Sequence, residues 1–336
     1  MNNEKILVVG GAGYIGSHMV KDLLSRGYDV ITLDNLSTGH QDLLPGGTFV
    51  EGDLGDREVL NRIFKNHKIS AVMHFAAFSL VGESVEDPLK YYRNNLSATT
   101  TLLSAMIQYR VKRFIFSSTA AVYGEPEQIP ITEKHPCNPT NPYGTSKIAI
   151  EKMLQDCDSA YGLKYISLRY FNASGADESG MIGERHSRET HLIPLVLKVA
   201  VGERENISIY GTDYPTQDGT CIRDYIHVSD LTQAHLLALK ALLSDKQSAV
   251  YNLGNNQGYS VREVIELAEK VTGKQIPILE ADRRPGDPAR LIASSEKIKS
   301  SLGWRPKYEN LETIIKTAWV WHQREASRGS SRGEIL

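Results

Sequence analysis

A tyrosine and a lysine with complementary chemistry stand four positions apart, Tyr143 and Lys147. On a helix, that spacing places both side chains on one face. A free phenol has a pKa of about 10, and a cation within about 4–6 Å favours its ionised form. The pair therefore predicts a general base that takes a proton from a hydroxyl group. The same spacing is common in helices where one residue lies in the core and the other at the surface. The surrounding sequence therefore has to decide whether this pair is catalytic.

The residues around this pair carry the signals of a helix. Asn141 is a favourable N-cap, and Pro142 suits the first helical position. Gly162, directly after Tyr161, is typical of a helix end. The sequence predicts a helix from Pro142 to about Tyr161, with the tyrosine and the lysine in its first two turns.

Three consecutive hydroxyl side chains, Ser117, Ser118 and Thr119, follow the predicted strand Phe114–Phe116. Open α/β sheets bind ligands at the carboxyl ends of their parallel strands, so this run predicts part of a binding site. Ser118 or Thr119 is expected to share the hydrogen bond to the reacting hydroxyl. A single hydroxyl at this position is also consistent with a helix cap.

The chain begins with a pattern of strand, glycine-rich turn and helix. The apolar run Ile6–Val9 is followed by Gly10, Gly13 and Gly16, and a helical pattern starts within the turn. In such a turn one glycine permits the bend, one lets the backbone approach a diphosphate, and one lets the helix pack on the strand. The free N–H groups of the helix start then face the phosphates. This predicts a dinucleotide site.

An acidic residue ends the second predicted strand, Asp29–Leu33. Asp34 is placed to accept hydrogen bonds from the adenosine ribose and to repel a 2′-phosphate, which favours NAD over NADP. The alternative is an ordinary βαβ turn with an exposed aspartate. Asp53, after the predicted strand Thr48–Glu51, either reaches the adenine edge or, like Asp56, caps the next helix.

Strand and helix patterns alternate through the first half of the chain, with further strands at Ala71–Phe75 and Tyr165–Tyr170 and a helix at Pro88–Tyr109. This predicts an α/β fold with a Rossmann-type doubly wound parallel sheet and a smaller mixed α/β substrate-binding lobe. His74, inside an apolar strand, is expected to be a core histidine. The expected domains are residues 1–172 for the cofactor, joined by elements of the second half, 173–325 mainly for the substrate, and 326–336 as a disordered tail.

Composition excludes several classes of partner. A net charge of −2 gives no electrostatic case for binding nucleic acid or a membrane surface, and no apolar run is long enough to span a bilayer. Cys137, Cys157 and Cys221 are scattered without metal-ligand spacing, so neither a metal site nor a disulfide framework is predicted. The expected location is the cytoplasm, because the cysteines suit a reducing compartment and a strand begins at once, leaving no signal peptide.

Taken together, these motifs resemble the extended short-chain dehydrogenase/reductase family, and within it the UDP-sugar 4-epimerases. The resemblance runs from Lys5 to about His322. The stretches that carry it are Gly10–His18, Asp34–Asn35, Gly52–Leu54, His74–Ala77, Val81–Ser84, Tyr91–Asn95, Ser117–Gly124, Asn138–Lys147, Arg169–Asn172 and Asp218–Val228.

The resemblance implies a role for each matching position. Tyr143 takes the proton of the C4 hydroxyl, Thr119 hydrogen-bonds the sugar oxygen, and Lys147 binds the ribose. The implied NAD-binding residues are Gly10, Gly13, Tyr14, Ile15, Gly16, Asp34, Asn35, Asp53, Leu54, Phe75, Ala76, Ala77, Asn94, Ser117, Tyr143, Lys147 and Tyr170. The implied substrate-binding residues are Ser118, Thr119, Tyr143, Asn172, His191, Leu192, Ser208, Tyr210, Arg223 and Arg284. A guanidinium suits phosphate, although either arginine taken alone is equally consistent with a surface ion pair.

The activity that the resemblance implies is NAD-dependent epimerisation of UDP-glucose and UDP-galactose at C4 through a transient 4-keto sugar. It also implies a homodimer formed through the helices Pro88–Tyr109 and Tyr143–Tyr161. Leu291 aligns with a tyrosine of some glucose/galactose-restricted members, and the smaller residue leaves room for an N-acetyl group. UDP-N-acetylglucosamine and UDP-N-acetylgalactosamine are therefore further expected substrates.

Three other functions fit parts of the sequence. A sugar-nucleotide dehydratase needs an acid–base pair just after Thr119, and Ala120 and Ala121 stand there instead. A UDP-glucuronate epimerase or decarboxylase shares the same outline. A non-catalytic NAD-binding regulator would not need an intact tyrosine–lysine pair, and here the pair is intact.

Overall fold

The computed structural model describes residues 4–284 and 287–333, with side chains up to residue 328. Within them, seven parallel strands form the main sheet: β1 (Lys5–Val9), β2 (Asp29–Asp34), β3 (Thr48–Glu51), β4 (Ala71–His74), β5 (Arg113–Thr119), β6 (Lys164–Tyr170) and β10 (Ala249–Leu253). Their order across the sheet is β10-β6-β5-β4-β1-β2-β3. This confirms the predicted α/β class with a doubly wound sheet.

The helices of the described residues are α1 (Tyr14–Ser25), α2 (Arg57–Asn66), α3 (Val81–Glu86), α4 (Pro88–Tyr91), α5 (Ala98–Gln108), α6 (Pro142–Tyr161), α7 (Leu192–Ala200), α8 (Val228–Leu243), α9 (Val261–Thr272), α10 (Glu296–Leu302) and α11 (Leu311–Gly333). Five of them cover the two faces of the main sheet. Helices α1 and α8 pack on one face and α2, α5 and α6 on the other. Because both faces are buried, the central strand β1 is a continuous apolar run instead of an alternating one.

The second half of the chain builds a smaller lobe around a third apolar core of α7, α9 and α11. Its strands are β7 (Asn172–Ser174), β8 (Ile207–Tyr210), β9 (Ile222–His227), β11 (Gly258–Ser260), β12 (Ile278–Ala281) and β13 (Arg290–Leu291). Strand β9 pairs with β7, β11 and β13, and β8 pairs with β12. Strand β10 is an exception within this half, because it joins the main sheet beside β6.

The structure differs from the predicted helix Pro88–Tyr109. A wider π-type turn, Tyr92–Ser97, separates α4 from α5. Within it, the carboxamide of Asn95 accepts a hydrogen bond from the Phe78 amide at 3.0 Å and donates to the Phe78 carbonyl at 3.0 Å. These bonds hold the widened turn against a neighbouring loop, and such turns are frequent at functional sites.

The chain end also differs from the prediction. Helix α11 continues to Gly333, whereas the sequence predicted disorder from residue 326; residues 334–336 lie outside the described part. Ser327 donates to the Gln323 carbonyl at 2.9 Å, and Arg328 pairs with Glu325 at 3.0 Å, so side chains of this stretch support the helix. None of the helices described is both long enough and apolar enough to cross a bilayer.

Candidate active site

A cleft opens where the strand order of the main sheet reverses, between the carboxyl ends of β1 and β4. Ligands of open α/β sheets bind at such a point. Most of the predicted cofactor residues line this cofactor cleft: Gly10, Gly13, Asp34, Asn35, Asp53, Leu54, Phe75, Ala76, Ala77 and Asn94, together with Val9, Leu33, Ser37, Thr38, Gly52 and Phe78.

The glycines of the first turn are required by close backbone approach. Gly10 has φ +76°, and a Cβ there would lie 2.4 Å from the Ala76 nitrogen. A Cβ on Gly16 would lie 2.1 Å from the Gly10 carbonyl oxygen, so this glycine lets α1 start against the turn. At Gly13 a Cβ would meet only that oxygen, at 3.4 Å, so its backbone faces the cleft. This cradle fits the diphosphate of a dinucleotide.

Asp34 is a buried carboxylate held by two backbone amides. Its oxygens accept hydrogen bonds from the Ala12 and Leu36 amides, each at 2.9 Å. Burial raises its pKa, and these two bonds oppose the rise. Beside it, Asn35 donates to Asp53 at 2.8 Å. The cleft therefore presents fixed hydrogen-bond acceptors where the ribose hydroxyls of NAD are expected.

The helix that carries the tyrosine–lysine pair begins where the sequence predicts. Asn141 accepts a hydrogen bond from the Gly144 amide at 2.9 Å, and Gly162 ends the helix with φ +66°. A Cβ on Gly144 would lie 2.5 Å from the Ala121 carbonyl oxygen. This close approach brings Tyr143 to the carboxyl end of β5, where it hydrogen-bonds Thr119.

The predicted catalytic residues Thr119, Tyr143 and Lys147 lie together, and we call them the catalytic cluster. Burial raises the pKa of Tyr143 to about 12, and the hydrogen bond with Thr119 only partly offsets it. Lys147 donates to the Ser117 carbonyl at 2.8 Å, and its Nζ lies 5.9 Å from the centre of the Tyr143 ring. Burial also lowers the pKa of Lys147 to about 7. For the chain by itself, burial therefore outweighs any effect of Lys147, and the phenol pKa stays above its ordinary value.

Ser117 and Tyr170 adjoin the catalytic cluster, and the sequence offers no sign of a third neighbour, the buried His235. Ser117 hydrogen-bonds Tyr170, and its hydroxyl also lies 3.2 Å from Nε2 of the buried His235. The ring of His235 packs 4.9 Å from that of Phe75. Burial lowers the pKa of His235 to about 4, so the imidazole is neutral. His235 is a single histidine inside the apolar helix α8, so the sequence alone does not indicate that it lies beside Ser117.

Ser118 lies apart from the other two hydroxyls. Successive side chains of a strand point to opposite faces of the sheet, so it faces α6, whereas Ser117 faces α8. It is fully buried, and its hydroxyl donates to Glu151 at 2.5 Å. Glu151 in turn forms a buried ion pair with Arg169. This placement contradicts the prediction that Ser118 contacts the substrate.

Two further predicted cofactor residues lie behind the cleft. Tyr14 is buried, and its hydroxyl donates to the Gly175 carbonyl at 2.6 Å, which ties the start of α1 to the segment after β7. Ile15 packs against the core between α1 and α8. His74 is buried and lies 3.1 Å from the Thr99 hydroxyl, as expected for a core histidine.

The predicted phosphate-binding arginines lie in the smaller lobe. Arg223, on β9, forms an ion pair with Asp287 and donates to the Ile222 carbonyl at 2.8 Å. The guanidinium of Arg284 lies 3.8 Å from the ring centre of Tyr210, on β8. Hydrogen bonds of the Tyr210 hydroxyl with Arg284 and Ser208 lower its pKa. We call Arg223, Arg284 and Tyr210 the anion arm.

The remaining predicted substrate residues lie at element starts. Asn172 begins β7 and donates to the Asp224 carbonyl at 2.8 Å. His191 precedes α7, and its Nδ1 lies 2.5 Å from a carboxylate oxygen of Glu184. Leu192 is the first residue of α7 and packs on the core of the smaller lobe. The structure thus distributes the predicted substrate residues over β7, β8, β9, the start of α7 and the segment after β12, whereas it gathers the predicted catalytic ones at one sheet edge.

Comparison with known proteins agrees with this geometry. Residues 6–254 match the model of the NAD dependent epimerase/dehydratase family. The UDP-glucose 4-epimerase of Halalkalibacterium halodurans is 59% identical over 318 residues, which cover 95% of each chain.

Two solved structures are similar over nearly the full length. The UDP-glucose 4-epimerase of Bifidobacterium longum in complex with NAD+ and UDP is 42% identical with a TM-score of 0.91, and the match covers 95% of this chain and 98% of that one. The UDP-Glc/GlcNAc 4-epimerase of Campylobacter jejuni is 43% identical with a TM-score of 0.84, and the match covers 96% and 100%. From these matches, the chain belongs to the NAD dependent epimerase/dehydratase family.

Proposed function

We propose that this chain interconverts UDP-glucose and UDP-galactose by inverting C4 of the sugar, with NAD as resident cofactor. One observation carries the proposal. The same edge of the main sheet holds a glycine cradle for a dinucleotide and a buried tyrosine that is hydrogen-bonded to a threonine. The relatives named above act as UDP-glucose 4-epimerases, and one of them was solved with both NAD+ and UDP.

Each residue of the catalytic cluster has a distinct task in this reaction. Tyr143 takes the proton of the C4 hydroxyl and later returns one to the same oxygen. Thr119 shares the hydrogen bond that orients this oxygen. Lys147, fixed on the Ser117 carbonyl, holds the ribose next to the sheet edge. When bound, NAD supplies the hydride acceptor and donor.

Proton transfer requires an ionised phenol, and this chain alone disfavours it, because burial raises the pKa of Tyr143 to about 12. A positive charge beside the phenol lowers its pKa. Lys147 provides such a charge only while protonated, and burial brings its pKa to about 7. We therefore assign the base function to the holoenzyme, in which the charge of the oxidised nicotinamide adds to that of the lysine.

The anion arm suits the diphosphate of a UDP-sugar. Arg223 and Arg284 offer planar guanidinium groups for two neighbouring phosphates. Asp287 now pairs with Arg223, so substrate has to compete with this carboxylate. We assign Asn172 to the diphosphate as well. We assign His191, Leu192, Ser208 and Tyr210 to the uridine or the phosphates.

The decisive experiment incubates the purified holoenzyme with UDP-galactose and adds no oxidant or reductant. Because the hydrogen removed from C4 is given back, we expect UDP-glucose to accumulate until equilibrium. A 4-keto-6-deoxy sugar would instead indicate a dehydratase. Retention of NAD without any change in the sugar would indicate a non-catalytic binding protein.

A second substrate pair, UDP-N-acetylglucosamine and UDP-N-acetylgalactosamine, is favoured by Leu291. Its side chain packs on the cluster of Val122, Tyr123 and Ile131, the first two of which closely follow Thr119 in the chain. The similar Campylobacter jejuni protein is named for both glucose and N-acetylglucosamine forms. Leu291→Tyr is expected to abolish turnover of the N-acetylated sugar and to spare UDP-glucose. Absence of N-acetylated turnover in the unmodified enzyme would reject this activity.

We infer a cytoplasmic homodimer that serves galactose metabolism. The proposed interface involves the outer faces of Pro88–Tyr109 and Tyr143–Tyr161. Leu89 and Tyr161, which belong to these segments, are exposed, as are the neighbouring Val81 and Val85. Light scattering behind size exclusion is expected to give twice the chain mass. Leu89→Asp combined with Val85→Asp should shift the protein to monomer, and an unchanged mass would rule out this surface.

A further inference from the structure

Four side chains of ligand type converge in the segment that leads into α7. Glu184, His186, Glu189 and His191 each offer one oxygen or nitrogen, and these four atoms all lie within 4.8 Å of one another. We call them the Glu/His cluster. Cysteine spacing predicted no metal site, and the Glu/His cluster contains no cysteine.

Three of the four histidine–glutamate distances in the cluster match those between ligands of one small cation. Nδ1 of His186 lies 3.3 Å from an oxygen of Glu184 and 3.3 Å from one of Glu189. Nδ1 of His191 lies 3.4 Å from an oxygen of Glu189. Tetrahedral Zn²⁺ with bonds of about 2.0–2.1 Å holds its ligands about 3.3 Å apart. The contact of His191 with Glu184, at 2.5 Å, is tighter and has to open by less than 1 Å.

Burial adds a charge argument to this geometry. The side chains of Glu184 and Glu189 are each only 4% exposed, so two carboxylates share a site that excludes water. In the absence of a metal, ion pairs with His186 and His191 balance the two carboxylates, and a divalent cation that displaces both imidazolium protons keeps this balance. The imidazoles of His186 and His191 are 28% and 44% exposed, which leaves a path of entry from solvent.

The surrounding contacts hold the ligands in place. Glu189 accepts hydrogen bonds from the Thr190 and His191 amides at 2.7 and 2.8 Å. The Glu184 carbonyl accepts one from the indole of Trp321, on α11, at 2.9 Å. Such support of the ligands is a usual part of protein metal sites.

We propose that Glu184, His186, Glu189 and His191 bind one divalent transition-metal ion of the Zn²⁺ type as a structural site. Four protein ligands close the coordination sphere, which is the pattern of structural sites and not of catalytic ones. The ion would fix the start of α7 relative to α11. His191 is also assigned to the substrate, so the test reads metal binding and Tm instead of turnover, and its failure is distinguishable from failure of the proposed function.

The test uses untagged full-length protein that has been treated with a chelator and then titrated with Co²⁺ and Zn²⁺. We expect one Co²⁺ per chain, with the visible spectrum of tetrahedral coordination and no thiolate charge-transfer band, which excludes the cysteines. One equivalent of Zn²⁺ should displace it and raise the Tm by several degrees. Failure of the unmodified protein to bind Co²⁺ stoichiometrically would overturn the proposal.

Variants locate the ion. Glu184→Gln combined with Glu189→Gln is expected to lose stoichiometric binding and the Tm response. Glu203→Gln combined with Glu205→Gln changes two exposed glutamates of the same lobe and should keep both. If the first pair does not fold, His186→Gln, at a more exposed position, should weaken Co²⁺ binding at least tenfold. Equal binding by all variants that fold would overturn the assignment.

Discussion

The catalytic cluster and the anion arm contact the same proposed substrate but are built in opposite ways. Tyr143, Lys147 and Thr119 are buried and already hold partners on the main sheet. The arginines of the anion arm lie in the smaller lobe, where Arg223 is paired with Asp287 and Arg284 covers the ring of Tyr210. One region is preformed, whereas the other has to exchange internal partners for the ligand.

This difference predicts where mutational effects appear. Preformed groups stabilise the transition state at little cost of reorganisation, so their loss lowers kcat. Groups that change partners on binding contribute to holding the substrate, so their loss raises KM. The variants below test this division, from the largest expected effect to the smallest.

Tyr143→Phe removes the proposed base and keeps the ring. We expect kcat to fall by roughly 10²- to 10⁴-fold, the usual contribution of a positioned acid–base group. The nucleotide should remain bound, which its absorbance after gel filtration would report. Tyr109→Phe, whose ring stacks on Phe64 away from the site, is the matched control. A variant with more than a tenth of the normal kcat would show that another group transfers the proton.

Arg223→Lys keeps the charge and removes the planar fork. We expect KM for UDP-galactose to rise about ten- to a hundredfold, since charge-assisted hydrogen bonds contribute about 1.5–3 kcal/mol, while kcat changes little. Arg262→Lys is a matched control, because that arginine pairs with Glu280 in the same lobe. A drop confined to kcat would place Arg223 with the preformed groups and contradict the division between the two regions.

Lys147→Met tests the electrostatic part of the catalytic cluster. Loss of an ammonium destabilises the phenolate, so the phenol pKa rises and the acid limb of the kcat profile moves to higher pH, by roughly one unit. The pKa of Lys147 is about 7, so its charge is present below that pH and is lost above it. The deficit of the variant should therefore be largest below pH 7.

The control for this profile is Lys152→Met, an exposed lysine on the same helix. It should leave the acid limb in place. An equal deficit of Lys147→Met at every pH would mean that the lysine only positions the ribose.

Local signals predicted the elements that hold the catalytic cluster. Asn141, Pro142 and Gly162 set the ends of α6 from their own backbone preferences, and the glycine turn set the start of α1. Strand β10 escaped prediction because Asn252 interrupts its apolar pattern. The Asn252 carboxamide donates to the Ile131 carbonyl and accepts from the Tyr123 hydroxyl, and both partners are more than a hundred residues away in the chain.

The same limit applies to the site. Spacing placed Tyr143 and Lys147 together, but burial decides their pKa values, and burial depends on the whole fold. His235 reaches Ser117 from a helix 118 residues further along the chain. The Glu/His cluster does show a local signal, since its four residues lie within one eight-residue stretch, and attention to histidine and glutamate spacing would have found it.

Ser118→Ala gives the smallest expected effect on activity and tests the division of the three hydroxyls. Because its hydroxyl donates to Glu151, its loss weakens the support of the buried pair with Arg169. We expect the free energy of unfolding to fall by about 1–3 kcal/mol, while KM and kcat stay within twofold. Chemical denaturation and the UDP-galactose assay measure the two effects. A raised KM with unchanged stability would show that Ser118 contacts the substrate. Strand alternation permits that contact only if the end of β5 twists when substrate binds.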